Sequence, residues 1–171
     1  MRKKVKPYQI LQYGKYKVGV TAVGEKANIA GLAVSNPQSA LNRVSRLLKE
    51  KHQCDLVICL AHLGFNEKAK INNKSLAQSS AGVDCVIGGN AIEGKSQLLV
   101  IKNSKKEEVL LSQNHHKGLS TATLTIAFNA QQEKAGLELK RHVPGSGNQQ
   151  DKLSVLTALE KKSRNLTFKT I

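Results

Sequence analysis

The sequence predicts an α/β fold with a mixed β-sheet and flanking helices, on three observations. Apolar, β-branched runs recur at 16–23, 54–65 and 83–89. A segment with helical spacing separates the first two runs, and a shorter one separates the second pair. After Gly94 the strand-like runs follow one another with no helix between them, as in an antiparallel meander joined to the earlier strand-helix-strand units.

In chain order, "YQILQY" pairs with "YKVGVTAV" across a Gly14-Lys15 turn, and the second of these, mostly apolar, reads as a strand covered on both sides. "SNPQSALNRVSRLLKEK" then places Leu41, Val44, Leu47 and Leu48 on one helical stripe. Asn36 stands where a helix cap is wanted, and Pro37 suits the first helical turn. "CDLVICLAHLGF" is a buried strand whose polar content returns at His62. A short helix at "SLAQSSAG" leads to the strand "VDCVIGG". Parallel strands present function at their carboxyl ends, so the loops after His62 and Gly89 are expected to open on one edge of the sheet. "QLLVIK", "EEVLLSQ", "STATLTIAF" and "GLELKRH" complete the meander. Residues 1–142 are read as one partial domain, 143–150 ("VPGSGNQQ") as a linker, and 151–171 as a C-terminal helix and tail.

The chain has 171 residues, of which 40% are hydrophobic and only 4% aromatic, so its core must be aliphatic. Twenty-seven basic residues against twelve acidic ones give a formal charge of +15, which favours anionic partners such as phosphate esters, nucleotides or acidic protein surfaces. The basic residues are scattered and lack interleaved aromatics, which argues against a dedicated nucleic-acid surface. Cys54, Cys59 and Cys85 form no CxxC pair and read as buried thiols. No apolar run reaches the roughly 20 residues of a membrane span, and no signal-peptide core follows the basic start, so the chain as written is expected in the cytoplasm. His52 and His142, amid basic residues, read as solvated.

Two successive strand ends, "DLVICLAHLG" and "DCVIGGN", carry a resemblance when taken together. They resemble the metallophosphoesterase (calcineurin-like) domain of the 5′-nucleotidase family, in which one strand ends in Ser-His-Leu-Gly and the next in Gly-Gly-His-x-His. "YGKYKVGVTAVG", "NPQSALNRVSRLLKEK" and "VLLSQNHHKGLSTATLTIAF" extend the likeness over about residues 7–130. The resemblance implies part of a four-layer sandwich, the carboxyl-terminal half, whose family hydrolyses nucleotide phosphate monoesters at a centre of two divalent ions, zinc or manganese. Such ions, about 3.5–4 Å apart, clamp a phosphate and activate a water.

The family draws its ligands from an Asp-x-His, a Gly-Asp, an Asn-His, the His of His-Leu-Gly and the pair in Gly-Gly-His-x-His. The first three have no counterpart in this sequence. His62 matches the fourth, Asn90 replaces the first histidine of the last pair, and Ile92 replaces the second. His62 and Asn90 are thus the metal candidates of a degenerate motif. His115, His116 and Lys117 lie in a loop that the resemblance places near substrate. The expectations are an incomplete or absent metal site, a nucleotide or phosphate ester as ligand, and a separate chain supplying the amino-terminal half. The alternative is a non-catalytic module that binds nucleotide, other anions or a protein. The family is typically exported, in tension with the cytoplasmic expectation from the chain itself.

Overall fold

A computed structural model describes residues 6–25, 34–65, 69–89, 97–113, 121–131, 134–142 and 152–155. By its contacts the chain falls into two compact units, 1–116 and 117–171. The division therefore comes before the expected linker, which itself lies outside the described residues.

The first unit is built on a six-stranded sheet of β1 (Tyr8–Tyr13), β2 (Tyr16–Gly24), β3 (Leu56–His62), β4 (Cys85–Gly88), β5 (Gln97–Lys102) and β6 (Glu108–Gln113), ordered β1-β2-β3-β4-β6-β5. β2, β3, β4 and β6 run parallel, and β1 and β5 close the two ends antiparallel. The expected hairpin is present: Tyr13 pairs with Tyr16, and Gly14 takes φ +57 at the first turn position, where a side chain would be strained.

Helix α1 (Pro37–Arg46) begins as its sequence predicts. Asn36 Oδ1 accepts the Ser39 N–H at 3.1 Å, and Pro37 occupies the first turn, where its missing N–H is not needed. The helix continues as a π-helical turn, Leu47–Lys51, closed by the His52 N–H on Leu47 O. This wider turn brings Leu48 onto the sheet directly over Gly19, where a Cβ would lie 2.8 Å from Leu48 Cδ1. Helix α2 (Asn73–Ser79) starts in a capping box, with Asn72 Oδ1 accepting from Ser75 N–H at 2.8 Å and Ser75 Oγ accepting from Asn72 N–H at 2.9 Å.

Both helices cover the same face. The crossovers β2-α1-β3 and β3-α2-β4 step the same way across the sheet, and crossovers of one hand then place their helices together. Leu41, Val44 and Leu48 of the first segment and Leu76 and Ala77 of α2 pack with Val57, Cys59, Ala61, Val86, Val109 and Leu111. Polar clamps tie the helical layer: Asn42 Nδ2 donates to Ser79 O at 3.1 Å, and Ser45 Oγ donates to Ala81 O at 2.7 Å. Asp84 Oδ2 caps the start of β3 by accepting from Val57 N–H at 2.7 Å and meets Lys49 Nζ at 2.8 Å.

The opposite face is apolar too. Register places Val18, Val20, Ala22, Leu56, Ile58, Leu60, Cys85, Ile87 and Leu110 there. Leu56, Cys85 and Leu110 are buried, while Leu60 is 45% exposed. Apolar side chains on both faces are what parallel strands of an interior layer require.

The second unit is a separate antiparallel sheet, β7 (Thr121–Phe128), β8 (Lys134–His142) and β9 (Lys152–Val155), in that order. Two expectations change here. The four late strands do not make one meander: β5 and β6 join the first sheet, and β7 and β8 form their own. The helix expected from 151 onward is a strand at 152–155, because pairing with Leu137–Lys140 of β8 overrides a local pattern compatible with either period. No helix among the described residues is long and apolar enough to cross a membrane.

Candidate functional site

The carboxyl ends of β2, β3, β4 and β6 meet at one edge; the sequence predicts this for β3 and β4, whereas β6, expected in an antiparallel meander, joins them as a parallel strand. Gly24 stands beside His62, Ala61 beside Gly88, and Gly88 beside Gln113. His62 is the last residue of β3, on the face away from the helices, and its side chain is exposed. The loop after β4 starts against it: Gly89 N–H donates to Ala61 O at 2.7 Å, and a Cβ on Gly89 would lie 3.3 Å from His62 Nδ1. Glycine is what lets the imidazole and the β4 terminus approach so closely.

Beneath this elbow lies a buried amide network. Asn73 Nδ2 donates to Gln113 Oε1 at 2.7 Å and to Gly89 O at 3.3 Å, and Gln113 Nε2 donates to the same carbonyl at 3.2 Å. The Gly89 backbone is therefore held by three hydrogen bonds, one from its N–H and two to its carbonyl. Asn73 and Gln113 are almost wholly buried, and Asn73 Oδ1 has no partner among the described residues. A Cβ on Gly88 would collide with Gln113 Oε1 and reach 2.5 Å from Asn73 Nδ2, so the amides fill the space that this glycine leaves. Neither amide carries a spacing signature in its sequence context. The available signal was a Gln at the inward position ending an apolar strand and an Asn opening a helix after a glycine loop.

On the other face, His62 rims a shallow depression of about 430 Å³. Ala22 and Val23 of β2, Leu60 and Ala61 of β3, and Ile87, Gly88 and Gly89 at the end of β4 line the rest of it. Its lining is otherwise apolar, so its one ionisable group among the described residues is an imidazole that can exchange a proton or donate one lone pair. The thiols add no nucleophile. Cys59 lies on the helix-covered face, and burial pushes its pKa up to about 12; burial is also the largest influence raising that of Cys54.

The donors among the described residues do not make a two-ion centre. Among the described residues no three His, Cys, Asp or Glu side chains could share a metal ion. His62 ends β3, whereas Asn90 and Ile92, and the substrate-loop candidates His115, His116 and Lys117, lie outside the described residues. His52 is not simply solvated: it is half-buried, with Nε2 2.9 Å from Tyr8 Oη, and links β1 to the end of the π-helical turn. The His142 side chain lies outside the described ones.

With this geometry in place, comparison with solved structures gives the class of fold. The chain is similar to a 5′-nucleotidase precursor from Thermus thermophilus, with a TM-score of 0.64 and 22% identity over 80% of this chain and 29% of that one. It is also similar to a putative 5′-nucleotidase from Staphylococcus aureus, crystallised with alpha-ketoglutarate, with a TM-score of 0.50 and 14% identity over 88% of this chain and 30% of that one. A hypothetical protein from Thermus thermophilus matches with a TM-score of 0.51 and 12% identity, over 81% and 62% of the two chains. No family model matches the chain, and no curated protein matches it in sequence. The fold is thus a mixed α/β fold shared with part of 5′-nucleotidase structures, as the sequence resemblance implies. The chain spans less than a third of the length of those two nucleotidases.

Proposed function

We propose that this chain is part of a 5′-nucleotidase-like metallophosphoesterase domain, that it does not hydrolyse phosphate esters by itself, and that a separate chain supplies the missing amino-terminal ligands. The observation that carries this reading is the carboxyl edge. His62 stands at the strand end beside a pinned Gly88-Gly89 elbow, yet among the described residues no three His, Cys, Asp or Glu side chains gather to hold a metal ion. In this reading Asn90 makes at most a weak contact to zinc or manganese, since a neutral amide oxygen is a poor substitute for imidazole, and His115, His116 and Lys117 face the phosphate ester.

The experiment is phosphate release from AMP with added manganese or zinc, by the purified chain alone and with candidate partner chains. The isolated chain should be inactive and the reconstituted pair active, with His62→Ala in the pair abolishing release. Turnover by the isolated chain overturns the proposal. A second reading rests on the +15 charge, which suits a non-catalytic nucleotide or anion module. It predicts AMP binding that is indifferent to chelator, with no turnover in any combination.

A further inference from the structure

We propose that the outer edge of β1 is a strand-addition site for an extended, acidic-ended segment of a partner protein. β1 is a terminal strand of the six-stranded sheet. In an antiparallel hairpin with a two-residue turn, the residues flanking the turn exchange hydrogen bonds, and the pattern alternates from there. With Tyr13 opposite Tyr16, residues 9, 11 and 13 turn their N–H and C=O groups toward β2. Tyr8, Ile10 and Gln12 turn theirs outward, where no described strand meets them.

Natural sheet edges are usually blunted by charge, proline or a bulge. β1 has none of these: "YQILQY" is uncharged, contains no proline, and keeps unbroken register with β2 over all six residues. β5, the terminal strand at the other end, closes on Lys102. The open edge is bounded by Pro7, whose carbonyl accepts from Thr21 Oγ1 at 2.9 Å, and by the Gly14 turn. The frame is therefore fixed, and it accepts about six residues.

Charge selects the occupant. Lys6 and Lys15, both exposed, stand just outside the two ends of the edge, and the whole chain carries +15. A second copy would bring like charge against like, whereas a β-branched strand with a carboxylate at each end meets main-chain bonding in the middle and opposite charge at the rims.

The test uses the full chain and a fluorescent heptapeptide, Glu-Val-Thr-Val-Thr-Val-Glu, blocked at both ends and titrated by anisotropy. Two further peptides carry N-methyl groups on one or the other alternate set of amides. Binding below about 1 mM, weakened about tenfold or more by one N-methyl set and little by the other, is the expected result. Ile10→Pro, which deletes an outward N–H and no β1-β2 bond, should weaken the parent peptide to the same degree. Equal binding of all three peptides would reduce the effect to charge attraction and overturn the proposal, as would no binding. Reversible dimerisation of the chain that excludes the peptide would give the edge to a second copy and also refute it.

Discussion

Replacing Gly88 with alanine should be among the most damaging small changes in this molecule. The new methyl would collide with Gln113 Oε1 and crowd Asn73 Nδ2, two buried groups already bonded to each other at 2.7 Å. Neither amide is the loose end of an exposed side chain, so the strain must either spread β4 from β6 or break the network. Overpacking of this kind costs about 1–3 kcal/mol. Leaving a buried amide without its partner costs about 1–3 kcal/mol more. A loss of about 2–6 kcal/mol is a large share of the roughly 5–15 kcal/mol that stabilises a domain.

Urea unfolding followed by circular dichroism reads this directly, as a midpoint lowered by roughly 1–3 M at a denaturant slope of about 2 kcal/mol/M. The collision makes a sharper demand. In the background of Gln113→Ala, which removes the colliding amide, Gly88→Ala should cost much less, giving a coupling of about 1–3 kcal/mol between the two sites. A midpoint shift below about 0.5 M, or strict additivity of the two substitutions, would refute the packing account of the elbow.

Three other outcomes follow from the same structure. Asn36→Ala removes the cap on Ser39 N–H and should lower stability by about 1 kcal/mol, with Asn36→Asp restoring most of it in the same urea assay. Asp84→Ala leaves the Val57 N–H at the head of β3 without its acceptor and Lys49 without its carboxylate; a loss of about 2–3 kcal/mol is expected. The Cys59 thiol is raised by burial from 9.0 to about 12, so the folded state keeps a proton that the unfolded state releases. Its contribution is complete below pH 9 and declines between pH 9 and 12, by up to about 1.4 kcal/mol per pH unit. Cys59→Ala should flatten that part of the stability profile relative to the parent, and a profile identical to the parent's would contradict the assignment.

Much of the first sheet was legible because its signals are local. Asn36-Pro37 marks a helix start by its own chemistry, Gly14 marks a turn, and the strands around Cys59 and Val86 are uniform apolar runs. Their shared carboxyl edge followed from the strand-helix-strand rhythm, which is why His62 and the Gly88-Gly89 elbow could be placed together before the geometry was known. Partner choice was not legible. "EEVLLSQ" has the same alternation whether it continues a meander or inserts beside β4, and only the tertiary structure assigns it to β4. Leu153 and Val155 satisfy a strand period within a stretch that also satisfies a helical one, so β8 decides. Asn73 and Gln113 escaped notice because isolated amides carry no spacing signature; what matters is that they converge from 40 residues apart on one glycine carbonyl.

The placement of β6 between β4 and β5 has a consequence for biosynthesis. β5 leaves the ribosome first yet takes the outermost position, so the slot beside β4 stays open until translation has passed Gln113. A chain terminated and released before Glu108 would present the apolar β4 with its β6 side unpaired, a ready template for aggregation. Premature stops in this interval should therefore give insoluble product, whereas stops just beyond the first compact unit, past residue 116, should not.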